Sequence, residues 1–520
     1  VKAEGKRQKA QIEIPLAEWV VPRAEKAMPS DYPDEPYLGL DDIEAHTTRL
    51  IGSKSSETMK STAKRFYPGD VLYSRLRPYL NKVWLADSSG LCSAEFIVLP
   101  QNDFIDGAFL KYRLNAMDFV GFANSLNAGD RPRVDFDQIS AFCLPPFALG
   151  YQRNVVARIE ELFSELDAGE ESLRRARRQL GVYRQSLLKQ AFEGKLTAPW
   201  RQQNPHLLES PDQLLNRIQE ERQARYEERL QEWESAVSLW ETREASTRKP
   251  SKPRRALDSE PLNNEELHAL PRIPKCWKWV RPDALTSFEP YALGIGPFGS
   301  NLKVSDYTTS GVPLIFVKNI TRNDFKIEPR YVSLTKAEEL AAHTAEGGDL
   351  LITKMGDPPG DCAIYPNDAP KAVITADCLK FRVLADYCDR SFYAAFINSV
   401  SCRKQLGLIT RGVAQKKISV ERFKSIGIPL CSLPEQQEIV RLLDEQFTVI
   451  EQNEREIDAA LKRSAALRQS ILKKAFTGQL VPQDPTDEPA SVLLERIREE
   501  RQLADHISKR KTARKKAKAI

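Results

Sequence analysis

The sequence predicts an α+β protein built as a tandem repeat with pseudo-two-fold symmetry. Two mixed α/β heads are separated by two long helices that form an antiparallel coiled coil. Residues 152–196 align without a gap onto 436–480 at an offset of 284, with 15 identities in 45 positions. Both copies space their apolar residues by threes and fours over more than four heptads, the mark of a coiled-coil seam rather than of a broad-faced surface helix. The residues before each copy have another texture, with Gly, Pro and short β-rich runs.

The elements follow in order. Residues 1–150 form a first head, 151–197 a helical spacer, 198–269 a charged helix and basic linker, 270–434 a second head, 435–481 a second helical spacer, and 482–520 a C-terminal helix and basic tail. The first seam reads Val155, Ile159, Leu162, Leu166, Leu173, Leu180 and Leu187, joined by Ala176 and Tyr183 and interrupted at Gly169. The second reads Ile439, Leu443, Ile450, Ile457, Leu467 and Ile471, joined by Ala460. Asn453 aligns with Gly169, and in the seam it would set register rather than add stability. Two such seams pair most economically in cis; a coiled coil with another protein is the alternative. A helix of about 40 residues spans about 60 Å and would act as a ruler.

In the heads, DVLYSRL (70–76), EFIVLP (95–100), VPLIFVKNI (312–320) and DLLIT (349–353) read as strands, and 104–124 and 389–406 as helical. PYLGLDDI (36–43) corresponds loosely to PLIFVKNI (313–320), and PGDVLYSR (68–75) to GGDLLITK (347–354). The spacers are alike and the heads have diverged. Between the halves, Tyr226, Trp233 and Trp240 recur every seven residues on a charged helix, a stripe for packing against adjacent helices or for a partner. Residues 246–261 read as a Pro-punctuated flexible linker, and KRKTARKKAKA (509–519) as a solvated basic run.

Seventy-seven Lys and Arg against 72 Asp and Glu leave a formal charge of +5, too small to imply a nucleic-acid partner by itself, so the placement of charge must decide. No apolar run approaches the ~18–20 residues of a membrane span, and the N-terminus lacks the apolar core of a signal peptide, which predicts a cytoplasmic protein without a membrane partner. The eight cysteines are scattered, as expected of reduced thiols, and the five histidines form no cluster, so no metal is expected.

Catalytic motifs dissolve on inspection. Residues 294–299 match GxGxxG, but Pro297 sits inside the motif and SNLKVSDY after it is not an apolar-periodic helix. MGDPPG (355–360) resembles the DPPY of amino-methyltransferases, with Gly360 where the base-stacking aromatic belongs, and reads better as a turn. No P-loop occurs. What remains is cations on turn-bounded segments. The first head offers Arg75, Arg77 and Lys82 near Tyr73 and Tyr79, with Arg131 and Arg133; the second offers Lys303, Lys318, Asn319, Lys354, Arg411, Gln415, Lys416 and Lys417. Arginine can bond guanine bidentately, Asn or Gln adenine, and Lys or Arg can neutralise phosphates.

The order of head, spacer, head, spacer resembles the specificity subunit of type I restriction-modification enzymes over essentially the whole chain. The words that carry the resemblance are GDVLYSRLRPYLNKV (69–83), GPFGSNLK (296–303), VKNI (317–320), ITKMGDPPGDCAIYP (352–366), LPEQQEIV (433–440) and the paired RQS…KxAFxGxL at 184–196 and 468–480. LPRIPKCWKWV (270–280) and, more faintly, IPLAEWV (14–20) resemble the start of a recognition domain. The first spacer opens LGYQRNVV where that family usually has an EQ pair, a departure bearing on local contacts. The resemblance implies two target-recognition domains, each reading one half of an asymmetric bipartite site in double-stranded DNA, with the helices fixing the spacing; half-sites about 34 Å apart fall within such a ruler. It implies no cofactor in this chain: two methyltransferase subunits would carry SAM and methylate adenine N6, and restriction subunits would use ATP with Mg and cleave. A self-contained methyltransferase and a coiled-coil scaffold without a nucleic-acid role are the competing readings.

Overall fold

The computed structural model describes residues 14–127, 129, 131–242, 249–253, 259–410, 416–484 and 488–502. The basic run 509–519 and residues 246–248 and 254–258 of the expected linker lie outside the described residues. The chain divides into two compact units, 1–175 with 456–520, and 176–455. Each unit takes one head and part of each long helix.

The long helices, Leu149–Phe192 and Leu433–Phe476, have 44 residues each, about 66 Å of rise. In each unit they run antiparallel: Asp167 pairs with Arg468 and Glu170 with Ser464 in the first, and Arg184 pairs with Glu454 and Arg201, just past the first helix, with Glu435 in the second. Glu170 meets Arg468 at 3.3 Å in the first unit, and Arg184 meets Glu454 at 3.8 Å in the second. These pairs are images of each other under the repeat offset of 284, as are the stackings of Arg468 on Phe163 and Arg184 on Phe447, each 4.9 Å. Val155, Ile159, Leu187, Ile439, Leu443, Ile450 and Ile457 are buried; Leu162, Leu166, Leu173, Leu180 and Ile471 are half-buried.

Three seam expectations are corrected. Leu467 is 52% exposed, its repeat counterpart Tyr183 is 45% exposed, and Asn453 is exposed as well. The seam steps from Ile450 to Glu454 and Ile457 and then through Ser464 and Arg468, so Asn453 and Leu467 lie about 100° off it, one residue out of phase. Register is instead marked by ions: Glu170 accepts from the Ser464 hydroxyl at 2.7 Å as well as from Arg468. Alanine at Glu170 or at Arg468 should each cost about 1 kcal/mol. The double substitution should cost less than the sum in a urea-denaturation cycle; full additivity would mean that the pair does not couple.

The RQS…KxAFxGxL words are where each helix ends in a head. Phe192 stacks on Phe392 and Phe396 in the second unit, and Phe476 on Phe109 in the first. Gly194 (φ 67°) and Gly478 (φ 70°) then stop the helices in the left-handed conformation, with Lys195 N–H bonding the Gln190 carbonyl and Gln479 N–H that of Lys474, both 2.8 Å.

The starts of the helices are held by equivalent glutamines. Gln152 is fully buried; its amide donates to the carbonyls of Phe104 and Phe147, both 2.7 Å, and its Oε1 accepts the Asp106 N–H at 2.9 Å. Gln436 does the same with Tyr387 (3.1 Å), Cys431 (2.9 Å) and the Asp389 N–H (2.8 Å). Asp106 and Asp389 cap the helices Gly107–Asn115 and Arg390–Ile397, the helical patches expected at 104–124 and 389–406.

Each head is closed where its first strand meets its last, Ile14–Pro15 with Cys143–Leu144, and Lys278–Val280 with Ile428–Leu430. Among the described residues each has one parallel strand pair, Pro36–Leu38 with Gly90–Cys92 and Val312–Ile315 with Ala372–Ile374, so the loosely matching words at 36 and 313 do occupy one place. The strand at 312 ends sooner than expected, and Val317–Thr321 is helical because the Asn319 side chain turns back to take the Phe316 N–H at 2.9 Å. The strands Val71–Ser74 and Leu350–Thr353 sit inside their sheets behind buried aspartates. Asp70 takes both arms of Arg23 at 2.8 and 2.9 Å, and Asp349 both arms of Arg382 at 2.7 and 2.9 Å.

Helix Pro211–Thr242 buries Leu214 and Ile218 in the second unit, with Arg222 reaching the carbonyls of Asp283 and Ala284. In the first unit residues 490–502 repeat this with Leu493, Ile497 and Arg501. The aromatic stripe meets the segment after it: Trp233 Nε1 donates to the Pro250 carbonyl at 3.0 Å, and Lys252 and Lys249 lie over Trp233 and Trp240. Residues 249–252 are thus docked, a correction to the flexible-linker expectation. The eight cysteines are free thiols, and among the described residues no helix is long and apolar enough to cross a membrane.

Candidate nucleic-acid interface

The two heads carry the same backbone clasp just beyond the strands Val71–Ser74 and Leu350–Thr353. In the first head, Arg75 N–H donates to the Glu95 carbonyl (2.9 Å), the Arg75 carbonyl accepts from Val134 (2.9 Å), and Leu76 bridges to Arg133. In the second, Lys354 N–H donates to the Asp377 carbonyl (2.8 Å), the Lys354 carbonyl accepts from Ile418 (3.0 Å), and Met355 bridges to Lys417. Arg75 therefore corresponds to Lys354, Arg133 to Lys417 and Glu95 to Asp377. Two antiparallel segments, each bringing a cation, are cross-linked by main-chain bonds, which places both charges without relying on flexible side-chain contacts.

Around the first clasp, Arg75 pairs with Asp135, and Arg133 with Glu95 at 2.7 Å. Arg75 Nε and Glu95 Oε2 are buried without a hydrogen-bond partner. Arg77 N–H donates to the Pro132 carbonyl, and its φ of 53° opens the turn Pro78–Leu80. Arg77 and Arg131 are exposed, with no ion pair among the described residues. Lys64, which sequence reasoning missed, donates to the Phe96 carbonyl at 2.7 Å. Burial pushes its ammonium pKa down, and the Arg75 charge adds to the fall.

Around the second clasp, Lys354 donates to the Ala376 carbonyl at 3.0 Å and lies 4.7 Å over the ring of Phe298, which is exposed. Burial lowers the Lys354 pKa, opposed by Asp377. Lys416 pairs with Asp357 at 2.8 Å, while Lys417 is exposed.

Other expected site residues have different surroundings. Lys82 is half-buried and spends its ammonium on the Leu40 carbonyl at 2.6 Å. Lys318 is held by Glu328, and Lys303 is exposed where its own N–H bonds Asp306. Asn319 is corrected: it is buried, and its amide is used by the Phe316 N–H and the carbonyls of Asp324 and Ile327, so no edge is left for an adenine. Arg411 and Gln415 lie outside the described residues. Phe298, Glu95, Asp135 and Asp377 were also missed; the only signal was their adjacency to β-rich runs or glycines.

The motif-like segments are structural. MGDPPG is the turn between Leu350–Thr353 and Cys362–Ile364, pinned by the Thr353 hydroxyl, which accepts the N–H groups of Gly360 and Asp361, both 2.9 Å. In 294–299, the bare face of Gly296 lies against the backbone of Thr375, and a short 3₁₀ turn follows in place of a helix. Among the described residues no group of three or more His, Cys, Asp and Glu is placed to hold a metal.

Residues 311–463 match the model of the type I restriction modification DNA specificity domain. The chain is 34% identical over 204 residues to the type I restriction enzyme EcoDI specificity subunit of Escherichia coli, an alignment covering 38% of this chain and 45% of that one. It is 35% identical over 200 residues to the StySPI specificity subunit of Salmonella potsdam, covering 36% and 42%. The chain thus spans about half the length of the curated relatives it matches. A solved chain from work on complex assembly and conformational transition of the type I R-M system shares the fold, with a TM-score of 0.62 at 18% identity over 90% of this chain and 98% of that one. Over residues 311–463 the chain is therefore similar to the type I restriction modification DNA specificity domain, and over about 200 residues to the type I restriction enzyme specificity subunits.

Proposed function

We propose that this chain is a non-catalytic DNA-sequence-recognition subunit of a cytoplasmic type I restriction-modification complex. Its two heads read the two halves of an asymmetric bipartite site, and the antiparallel helices set the spacing. The observation that carries this reading is the pair of equivalent clasps. One backbone frame presents cations in both heads while the side chains differ, which suits two readers of unlike half-sites. The repeated helix ends, alike in sequence and in packing, suit two identical docking partners, which we take to be adenine-N6 methyltransferase subunits carrying SAM. Restriction subunits using ATP and Mg would join that core. A self-contained methyltransferase is disfavoured because its one motif is a hairpin turn, and saturable SAM binding by the chain alone would overturn the assignment.

Alanine at Arg75, and separately at Lys354, in the complex assembled with its modification subunits should weaken target-duplex binding roughly tenfold, as expected for loss of one good base or phosphate contact. Fluorescence-anisotropy titrations across a salt series check this. Loss of a phosphate contact would also flatten the salt slope by about one. Binding unchanged at every salt concentration would remove both residues from the interface.

A further inference from the structure

The first clasp holds as many carboxylates as arginines. Asp135 sits on Arg75 and Glu95 on Arg133, and Lys64 reaches the carbonyl of Phe96, the residue after Glu95. The second clasp is lighter. Asp377 stands in the place of Glu95, but the place of Asp135 is taken by Ser419, whose hydroxyl caps the helix Val420–Lys424. An arginine already paired with a carboxylate gains little by exchanging it for a phosphate, because one anion replaces another and a local pair is broken. A guanine edge is different, since the planar guanidinium can keep the carboxylate on one edge and bond O6 and N7 with another.

Resting on the DNA-recognition reading above, we propose that Glu95 and Asp135 are specificity-determining positioning residues. They hold Arg133 and Arg75 in fixed orientations and withhold them from the phosphates of non-target DNA. The geometry suits this role. Arg75 is fastened at its backbone by the Glu95 carbonyl and by Val134 N–H, and its side chain is largely covered with Nε buried, which confines the guanidinium beside Asp135. Arg133 is half-exposed and Glu95 is largely covered, so the carboxylate lies beneath the cation and leaves the outer edge of the guanidinium to solvent. The second head has lysines at the clasp and no carboxylate at the place of Asp135, its Asp357 pairing instead with Lys416 beside the clasp, so it discriminates less against backbone contact.

The test uses Glu95→Gln, Asp135→Asn and the double variant, assembled with the modification subunits, against a target duplex and a scrambled duplex of equal length from low to moderate salt. Gln and Asn keep an acceptor oxygen for the arginines, so the fold should persist. Affinity for the scrambled duplex should rise about tenfold in the double variant at low salt, and the salt slope should steepen by about one per released arginine. Target affinity should change by less than threefold, so the specificity ratio falls. Glu95→Asp, which keeps the charge, should restore most of that ratio; a merely structural role would lower both affinities and leave the slope alone. Scrambled-duplex affinity and slope equal to wild type would overturn the proposal while leaving the DNA reading intact. A wild-type complex that binds neither duplex would overturn both. Should the double variant misfold, the single variants carry the same comparison.

Discussion

Alanine at Gln436 is expected to lower the stability of the second unit by about 4 kcal/mol, because it orphans three buried groups at once. The Gln436 amide satisfies the carbonyls of Tyr387 and Cys431, and its oxygen satisfies the Asp389 N–H, with no solvent access to any replacement. Each orphan costs about 1–3 kcal/mol, and the void adds a smaller amount. At roughly 2–4 °C per kcal/mol for a unit of this size, the melting midpoint should fall by about 10 °C. Glutamate would fare no better, since it sets an acceptor against two carbonyls. Alanine at the neighbouring exposed Gln437 is the control and should shift the midpoint by less than 2 °C. Gln152→Ala should produce the same loss in the first unit. A Gln436→Ala midpoint within 2 °C of wild type, read by circular dichroism, would show that the clamp does not hold the helix to the head.

The second large effect is expected at Glu435, one residue earlier. Its carboxylate is buried and accepts from the Thr197 hydroxyl (2.8 Å), Arg201 (2.8 Å) and Trp277 Nε1 (2.9 Å). Alanine there leaves a largely buried guanidinium without its counter-ion and should cost about 3–5 kcal/mol. Glu435→Gln keeps the shape and loses the charge, and should cost roughly half as much. The double variant with Arg201→Ala should be less damaged than the sum, since no unpaired charge remains; simple additivity in urea denaturation would refute the ion-pair account. The first repeat shows how the site can be rebuilt. There Tyr151 replaces the glutamate and Val481 stands where Thr197 does, and the Tyr151 hydroxyl donates to the Val481 carbonyl at 2.7 Å. Valine offers no side-chain donor, so a carboxylate would have lacked that partner. The departure from the EQ pair is thus a compensated exchange, visible only once residues 330 positions apart are brought together.

The large features of the fold were legible because they are written locally. A helix of 44 residues declares itself through its apolar period, and its end through a glycine that alone adopts φ near 70° without strain. The repeat was legible because the spacers meet alike surroundings in both units and so tolerate the same residues. The clasps were only half legible. Arg75 and Lys354 could be named as cations on turns, but insertions move the repeat offset from 284 at Arg133 and Lys417 to 279 at Arg75 and Lys354, which hides their equivalence. Asn319 had the composition of a base reader and proves to be a turn residue, since a short amide serves a backbone as readily as an adenine.

By itself, then, the sequence determined two α/β heads, two long helices, the duplicated helix ends and the absence of a recognisable catalytic word. Period, capping and repetition act over a few residues and need no tertiary partner to be read. The tertiary structure decided the rest: that the seam passes through Glu454 and Arg468 rather than Asn453 and Leu467, that Gln152 and Gln436 clamp helix to head, and that each arginine of the first clasp carries a carboxylate. The physical reason is one of range. A phase error of one residue rotates a side chain by about 100°, and an ion pair needs contact within a few ångströms, so both depend on where distant segments come to rest.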